Sequence, residues 1–152
     1  MKLENQVVSL ELAKRLKELG VKQESLFYWA DTRKSHKEYN CVKGEFIPFN
    51  EMSMEIELVM GKDNALNNSK HYNDSEPISA FTVAELGEIF CTGDELSYKF
   101  KTYRAVDSNW WIEVGYTENR RIDETQMFQA ETEADARAKM MIYLIENNFI
   151  RI

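Results

Sequence analysis

The stretch Leu96–Glu118, LSYKFKTYRAVDSNWWIEVGYTE, decides how the chain is read. Two segments rich in aromatic and β-branched residues flank the turn-rich link VDSN, the pattern of an antiparallel hairpin. Alternation then sorts the side chains by face. In the second arm Trp110, Ile112, Val114 and Tyr116 point one way, and Trp111, Glu113 and Gly115 the other. In the first arm Leu96, Tyr98 and Phe100 form the apolar side, opposite Lys99, Lys101 and Tyr103. Pairing the arms buries the apolar sets and gathers Trp111, Tyr103, Lys99, Lys101 and Glu113 on one outer surface.

Further strands lie upstream. SLFYWA (25–30) has strand length and aromatic enrichment, with Leu26, Tyr28 and Ala30 on one side and Ser25, Phe27 and Trp29 on the other. A strand apolar on both faces belongs at the centre of a covered sheet. EYNCVK (38–43) can return antiparallel to it across DTRKSHK, and SMEIELVM (53–60) alternates with Met54, Ile56, Leu58 and Met60 on its apolar side. The segment 61–77, GKDNALNNSKHYNDSEP, is dense in Asn, Asp and Ser and reads as a mobile polar loop.

Three helices carry start and stop signals. Ser9 is placed to cap the first, whose Leu12, Ala13, Leu16 and Leu19 share a face; Gly20 ends it, with Val21 poised for a Schellman contact. Glu11 and Arg15, and Lys14 and Glu18, stand at i,i+4 spacing on its polar side. In AFTVAELGEIF (80–90), Thr82 and Glu85 form a capping box and Phe81 and Leu86 a hydrophobic staple. The last helix starts at Thr132, pairs Glu133 with Arg137 and Asp135 with Lys139, and aligns Ala134, Ala138, Met141, Ile142, Ile145 and Phe149. Asn147 and Asn148 suit its end. These elements predict a single α+β domain over 1–152. Its antiparallel sheet has about five strands, with the N- and C-terminal helices packed on one face and a short middle helix at an edge.

Composition sets the class of partner. The 152 residues are 43% hydrophobic and 30% charged, with a formal charge of −7 at pH 7. That balance is globular, and it opposes broad charge-driven binding to nucleic acid or anionic membrane. The N-terminus lacks an apolar leader and no run of about 18 apolar residues occurs, so neither export nor a membrane span is expected. Cys41 and Cys91 stand in unrelated contexts and read as reduced thiols.

Catalytic signatures are absent. His36 and His71 have no ligand-spaced partner, the six glycines form no phosphate-binding pattern, and there is no GxSxG or HExxH. A Cys41 and His36 pair across the hairpin is a conceivable nucleophile and base, but a strand cysteine is ordinarily a small buried hydrophobe. Neither metal nor cofactor is expected.

VVSLELAKRLKELGVKQESLFYW (7–29), ISAFTVAELGEIF (78–90) and ETEADARAKMMIYLIENNFI (131–150) resemble, in that order, the blocks of one family. It is a family of small uncharacterised phage and prophage proteins of bacteria; residues 40–76 do not share the likeness. The resemblance implies a mobile element and the cytoplasm of a bacterial host, and supplies no catalytic residues. The expectation is a non-enzymatic accessory protein acting through contacts with a protein partner, one version being an acidic inhibitor of a host nucleic-acid-handling or defence system. The alternatives are a nucleic-acid-binding module, in which Trp111 and Tyr103 stack bases while Lys99 and Lys101 hold phosphates, and an enzyme of unrecognised type.

Overall fold

A computed structural model of the protein describes residues 2–31, 56–70, 76–91, 98–118 and 121–152. After a single 3₁₀ turn at Leu3–Gln6, the described elements are α1 (Leu10–Glu18), β1 (Phe27–Asp31), β2 (Ile56–Met60), α2 (Lys62–Lys70), β3 (Ile78–Ser79), α3 (Val83–Cys91), β4 (Tyr98–Arg104), β5 (Trp110–Glu118), β6 (Arg121–Ala130) and α4 (Glu133–Glu146). The class is α+β, but the expected sheet of about five strands is two antiparallel sheets of three, ordered β2-β1-β3 and β4-β5-β6. The physical reason lies at β1. Its two edges are filled by β2 and β3, so the β4–β5 hairpin takes its third strand from β6 instead. The segment EYNCVK falls outside the described residues.

Both faces of β1 are covered, as its two-sided apolar pattern requires. Tyr28 and Ala30 pack with Val59 and Ala65, beneath α2. Trp29 and Ile78 face the other way, into the main core, and the Trp29 indole donates to the Val8 carbonyl at 2.9 Å. In β2 the expected alternation holds at Ile56, Glu57 and Leu58, which are half-buried, exposed and half-buried, and fails at the end of the strand, where Val59 belongs to the inner set and Met60 is 66% exposed. Its partner strand sets the register: Tyr28 stands opposite Val59 and Phe27 opposite Met60.

The helix α2 lies within the segment read as a loop. Gly61, at φ +83°, turns the chain sharply after β2, Asn64 donates its side-chain amide to the Met60 carbonyl at 3.0 Å, and Asp63 sits in the first turn. Asparagines lower intrinsic helicity, so this helix depends on burying Ala65 against Tyr28 and Ala30.

The main core is shared by α1, α3, α4, β5 and β6. Helix α4 lies on β5 and β6 and packs against α1 and α3. Ala136, Met140 and Leu144 join Ala134, Ala138 and Met141 as buried residues, because neighbours on several sides cover more of α4 than one stripe. Helix α3 packs against α4 and places Leu86 and Phe90 in the core, where Phe90 meets Phe100 of the edge strand β4 edge-on at 4.9 Å.

The caps follow the sequence closely. Gly20 stands at φ +90°, with Gly20 donating to the Lys17 carbonyl and Val21 to that of Leu16, a complete Schellman ending. Asn148, at φ 59°, closes α4 the same way through Phe149 to Leu144 and Asn148 to Ile145. Thr132 accepts the Asp135 amide at 3.1 Å. Ser9 differs, for its hydroxyl makes no cap and its amide donates to Asp135 at 2.7 Å, tying α1 to the start of α4. Arg15 likewise turns from Glu11 to Glu18 and Glu146, and Lys139 from Asp135 to the Gln129 carbonyl, while Arg137 holds Glu133 as expected.

Candidate functional site

The hairpin forms as the sequence predicts, and β6 widens it. Rows across the sheet read Tyr103, Trp111, Gln129; then Lys101, Glu113, Met127; then Lys99, Gly115, Thr125. Their neighbours Ile112, Val114 and Ala130 are buried in the core on the opposite face. The rows therefore share the outer face. Trp111, Tyr103, Lys101 and Glu113 are thus brought together as the alternation requires, while Lys99 is placed by its backbone and its side chain lies outside what is described.

The polar tip of Tyr103 is fixed. The Tyr103 hydroxyl donates to Glu113 Oε1 at 2.9 Å, and the Lys101 ammonium sits 5.2 Å from the centre of the Tyr103 ring. The Trp111 indole lies near the Asp107 carboxylate and helps to lower its pKa. Both Trp111 and Tyr103 are half-buried.

The connection between β4 and β5 closes on Ala105 and Asn109, with three residues, Val106, Asp107 and Ser108, at its tip. Ser108 donates to the Ala105 carbonyl, Ala105 donates to that of Asn109, and Ser108 takes the left-handed conformation at φ 66°. Asp107 stabilises it further by accepting the Asn109 amide at 3.0 Å and the Gln129 side chain, also at 3.0 Å. The Asn109 backbone amide is the main cause that holds the Asp107 carboxyl below its usual range; burial opposes it, and the side chains of Asn109 and Trp111 reinforce it. Tyr103 moves the other way. Its hydrogen bond to Glu113 raises its pKa above the usual phenol value, aided by burial and by the carboxylate charge.

Several members of this surface escaped the sequence reading. Val106 is fully exposed at the loop tip, and Met127 is 52% exposed beside Glu113. Val106 sits within a turn signal and only its apolar character marks it. Met127 and Gln129 needed β6, whose sequence RIDETQMFQA has too few apolar residues to announce a strand.

A second feature is a cleft of about 620 Å³ between α1 and α4, with Phe128 of β6 at its base. Leu12, Ile142 and Tyr143 supply its apolar lining, and Lys14, Arg15, Lys139, Glu11, Glu18 and Glu146 its rim. Among the described residues no group of three or more His, Cys, Asp or Glu side chains is arranged to hold a metal ion, and no helix is long and apolar enough to cross a membrane. His36, Cys41 and His71 lie outside the described residues. No family model, curated protein or solved structure matches the chain.

Proposed function

We propose that this protein is a non-enzymatic accessory protein that acts by binding another protein through the outer face of the β4–β5–β6 sheet. The observation that carries this reading is the cross-strand pair of Trp111 and Tyr103 on a face that no described element covers, with the Tyr103 hydroxyl tethered to Glu113 and Trp111 beside Asp107. Rigid, half-exposed aromatics lose little entropy on binding and serve as anchors of protein interfaces. Met127 and Val106 extend the apolar contact, and Lys101 beside Glu113 offers both signs of charge. The setting in a phage or other mobile element, in a bacterial cytoplasm, rests on the resemblance in sequence. An acidic inhibitor of a host nucleic-acid-handling or defence system is the specific version that the charge of −7 accommodates.

Glu113 weighs against nucleic acid. Its carboxylate accepts the Tyr103 hydroxyl, and the residue stands directly across the strand pair from Lys101, adding a charge that repels phosphate. Tagged wild-type protein and the variants Trp111→Ala and Tyr103→Ala, each with an unchanged melting temperature, provide the test in affinity capture from bacterial lysate. A partner retained by the wild type and lost from both variants is the expected result. A partner retained equally by all three sinks the outer-face reading, and tight, salt-sensitive binding of single-stranded oligonucleotides would replace it with the nucleic-acid reading.

A further inference from the structure

One carboxylate ties together the side chains placed around Trp111. Asn109 stands two residues before Trp111, where alternation keeps it on the same side of the chain, and Gln129 stands directly across from Trp111 on β6. Both donate to Asp107. The Asn109 side-chain amide reaches Oδ2 at 3.1 Å, and that of Gln129 reaches the same oxygen at 3.0 Å. On its other side Trp111 is paired with Tyr103 of β4, whose hydroxyl is held by Glu113. The indole itself lies close enough to Asp107 to help lower its pKa.

The two oxygens of Asp107 have different duties. Oδ1 accepts the Asn109 main-chain amide at 3.0 Å, a bond that belongs to the turn. The turn is also closed without Asp107. Ala105 donates to the Asn109 carbonyl at 2.9 Å, Ser108 to that of Ala105 at 3.0 Å, and the Arg104 side chain to that of Ser108 at 3.2 Å. Oδ2 takes the two side chains, and its bond to Gln129 leaves the loop and crosses to β6. Gln129 is fixed from a further direction, because its carbonyl accepts the Lys139 ammonium of α4 at 2.8 Å.

We propose that Asp107 is the positioning residue of the outer face, holding Asn109 and Gln129 beside Trp111 so that the indole meets a protein partner already ordered. The inference rests on the outer-face reading and names what prepares its anchor. A side chain fixed before contact loses less rotamer freedom on binding, which is worth a several-fold gain in affinity. Asp107 acts through Trp111.

Asp107→Asn separates the two duties: its amide oxygen can still accept the Asn109 main-chain amide, while its NH2 group meets two donors at the Oδ2 position. By 15N relaxation of the full chain, the wild-type Trp111 indole is expected to be as ordered as rigid backbone, with an order parameter of about 0.85, and in Asp107→Asn to fall below about 0.6 at an unchanged melting temperature. Gln129→Ala, which leaves the turn bonds in place, should loosen the indole in the same direction. In the wild type the indole resonance should follow the Asp107 carboxyl through its acid titration with one shared midpoint. The charged groups around this row include Glu113, Lys101, Arg104 and Lys139, so Glu113→Gln serves to tell the two carboxylates apart. A protein captured by the wild type and lost from Trp111→Ala should bind Asp107→Asn several-fold more weakly. Equal indole order in wild type and Asp107→Asn overturns the proposal, as does an indole titration that survives Asp107→Asn and vanishes in Glu113→Gln. Undiminished capture by a variant with a loosened indole overturns the link to binding. If no captured protein depends on Trp111, the outer-face reading fails and takes that link with it, whereas the relaxation result decides the positioning by itself.

Discussion

Glu85 shows how one side chain serves several elements at once. Its carboxylate accepts the Thr82 amide at 2.7 Å and hydroxyl at 2.8 Å, closing the capping box of α3, and also accepts the Leu26 amide at 2.8 Å and the Ser25 hydroxyl at 3.1 Å. The second pair of bonds fastens the entry to β1 onto the start of α3. Glu85→Ala is therefore expected to cost about 2–3 kcal/mol in urea unfolding, against about 1 kcal/mol for Thr82→Ala, which breaks the cap alone. Equal losses would show that the tie to β1 contributes nothing. On the outer face Tyr103 supplies a pH prediction. Its raised folded pKa means that its hydrogen bond contributes stability below about pH 10, the unfolded value, and that this is lost as pH rises through the folded value. The phenol should titrate above the ordinary range by NMR, and Glu113→Gln should bring it back toward 10. Asp107 behaves oppositely: its lowered pKa gives a contribution present above about pH 4 and lost as pH falls through the folded value.

At the scale of elements, two helices end on the same motif with different residues. Gly20 and Asn148 both occupy the left-handed C′ position, at φ +90° and 59°. Space is not the constraint at Gly20, where an added Cβ would meet nothing within 4 Å, so Gly20→Ala isolates the backbone strain. It should destabilise by about 1 kcal/mol, whereas Asn148→Gly should be neutral or stabilise by a few tenths, as read from thermal midpoints. A larger loss at Gly20 would mean that the turn to Val21, which is buried against the core, is also displaced. The helix α2 illustrates the reverse case, an element with weak propensity held by its neighbours. Ala65 is fully buried against β1, while asparagines make up much of the rest of the helix.

At the scale of the molecule, the two sheets meet one core. Trp29 and Ile78 of the first sheet and Ile112, Val114 and Ala130 of the second contact the same cluster around α4. Variants that retain only Trp29 or only Trp111 as a fluorophore place a reporter in each sheet. Their urea transitions should coincide with each other and with loss of helical circular dichroism. Leu144→Ala, at a fully buried position in the last turn of α4, should lower both midpoints together, at a cost of about 2–5 kcal/mol. Separate midpoints would show that the sheets unfold independently.

What the chain encodes locally was legible: the ends of α1, α3 and α4, the β4–β5 hairpin, and the outer-face grouping of Trp111 with Tyr103, Lys101 and Glu113. Each depends on residues a few positions apart, or on the two-residue period of adjacent strands. The tertiary structure alone decided the division into two sheets, the helix at Lys62–Lys70, the strand at Arg121–Ala130 and the partners of Ser9 and Arg15. For these the local signal is weak or shared between outcomes. An asparagine-rich segment becomes helical because Ala65 finds a cover, and a polar segment becomes a strand because β5 has an edge to fill. The cover of Ala65, Tyr28 and Ala30, is far off in sequence, and although β5 directly precedes β6, the polar pattern of β6 does not itself announce a strand; in both cases the choice is made by burial and hydrogen bonding in the fold.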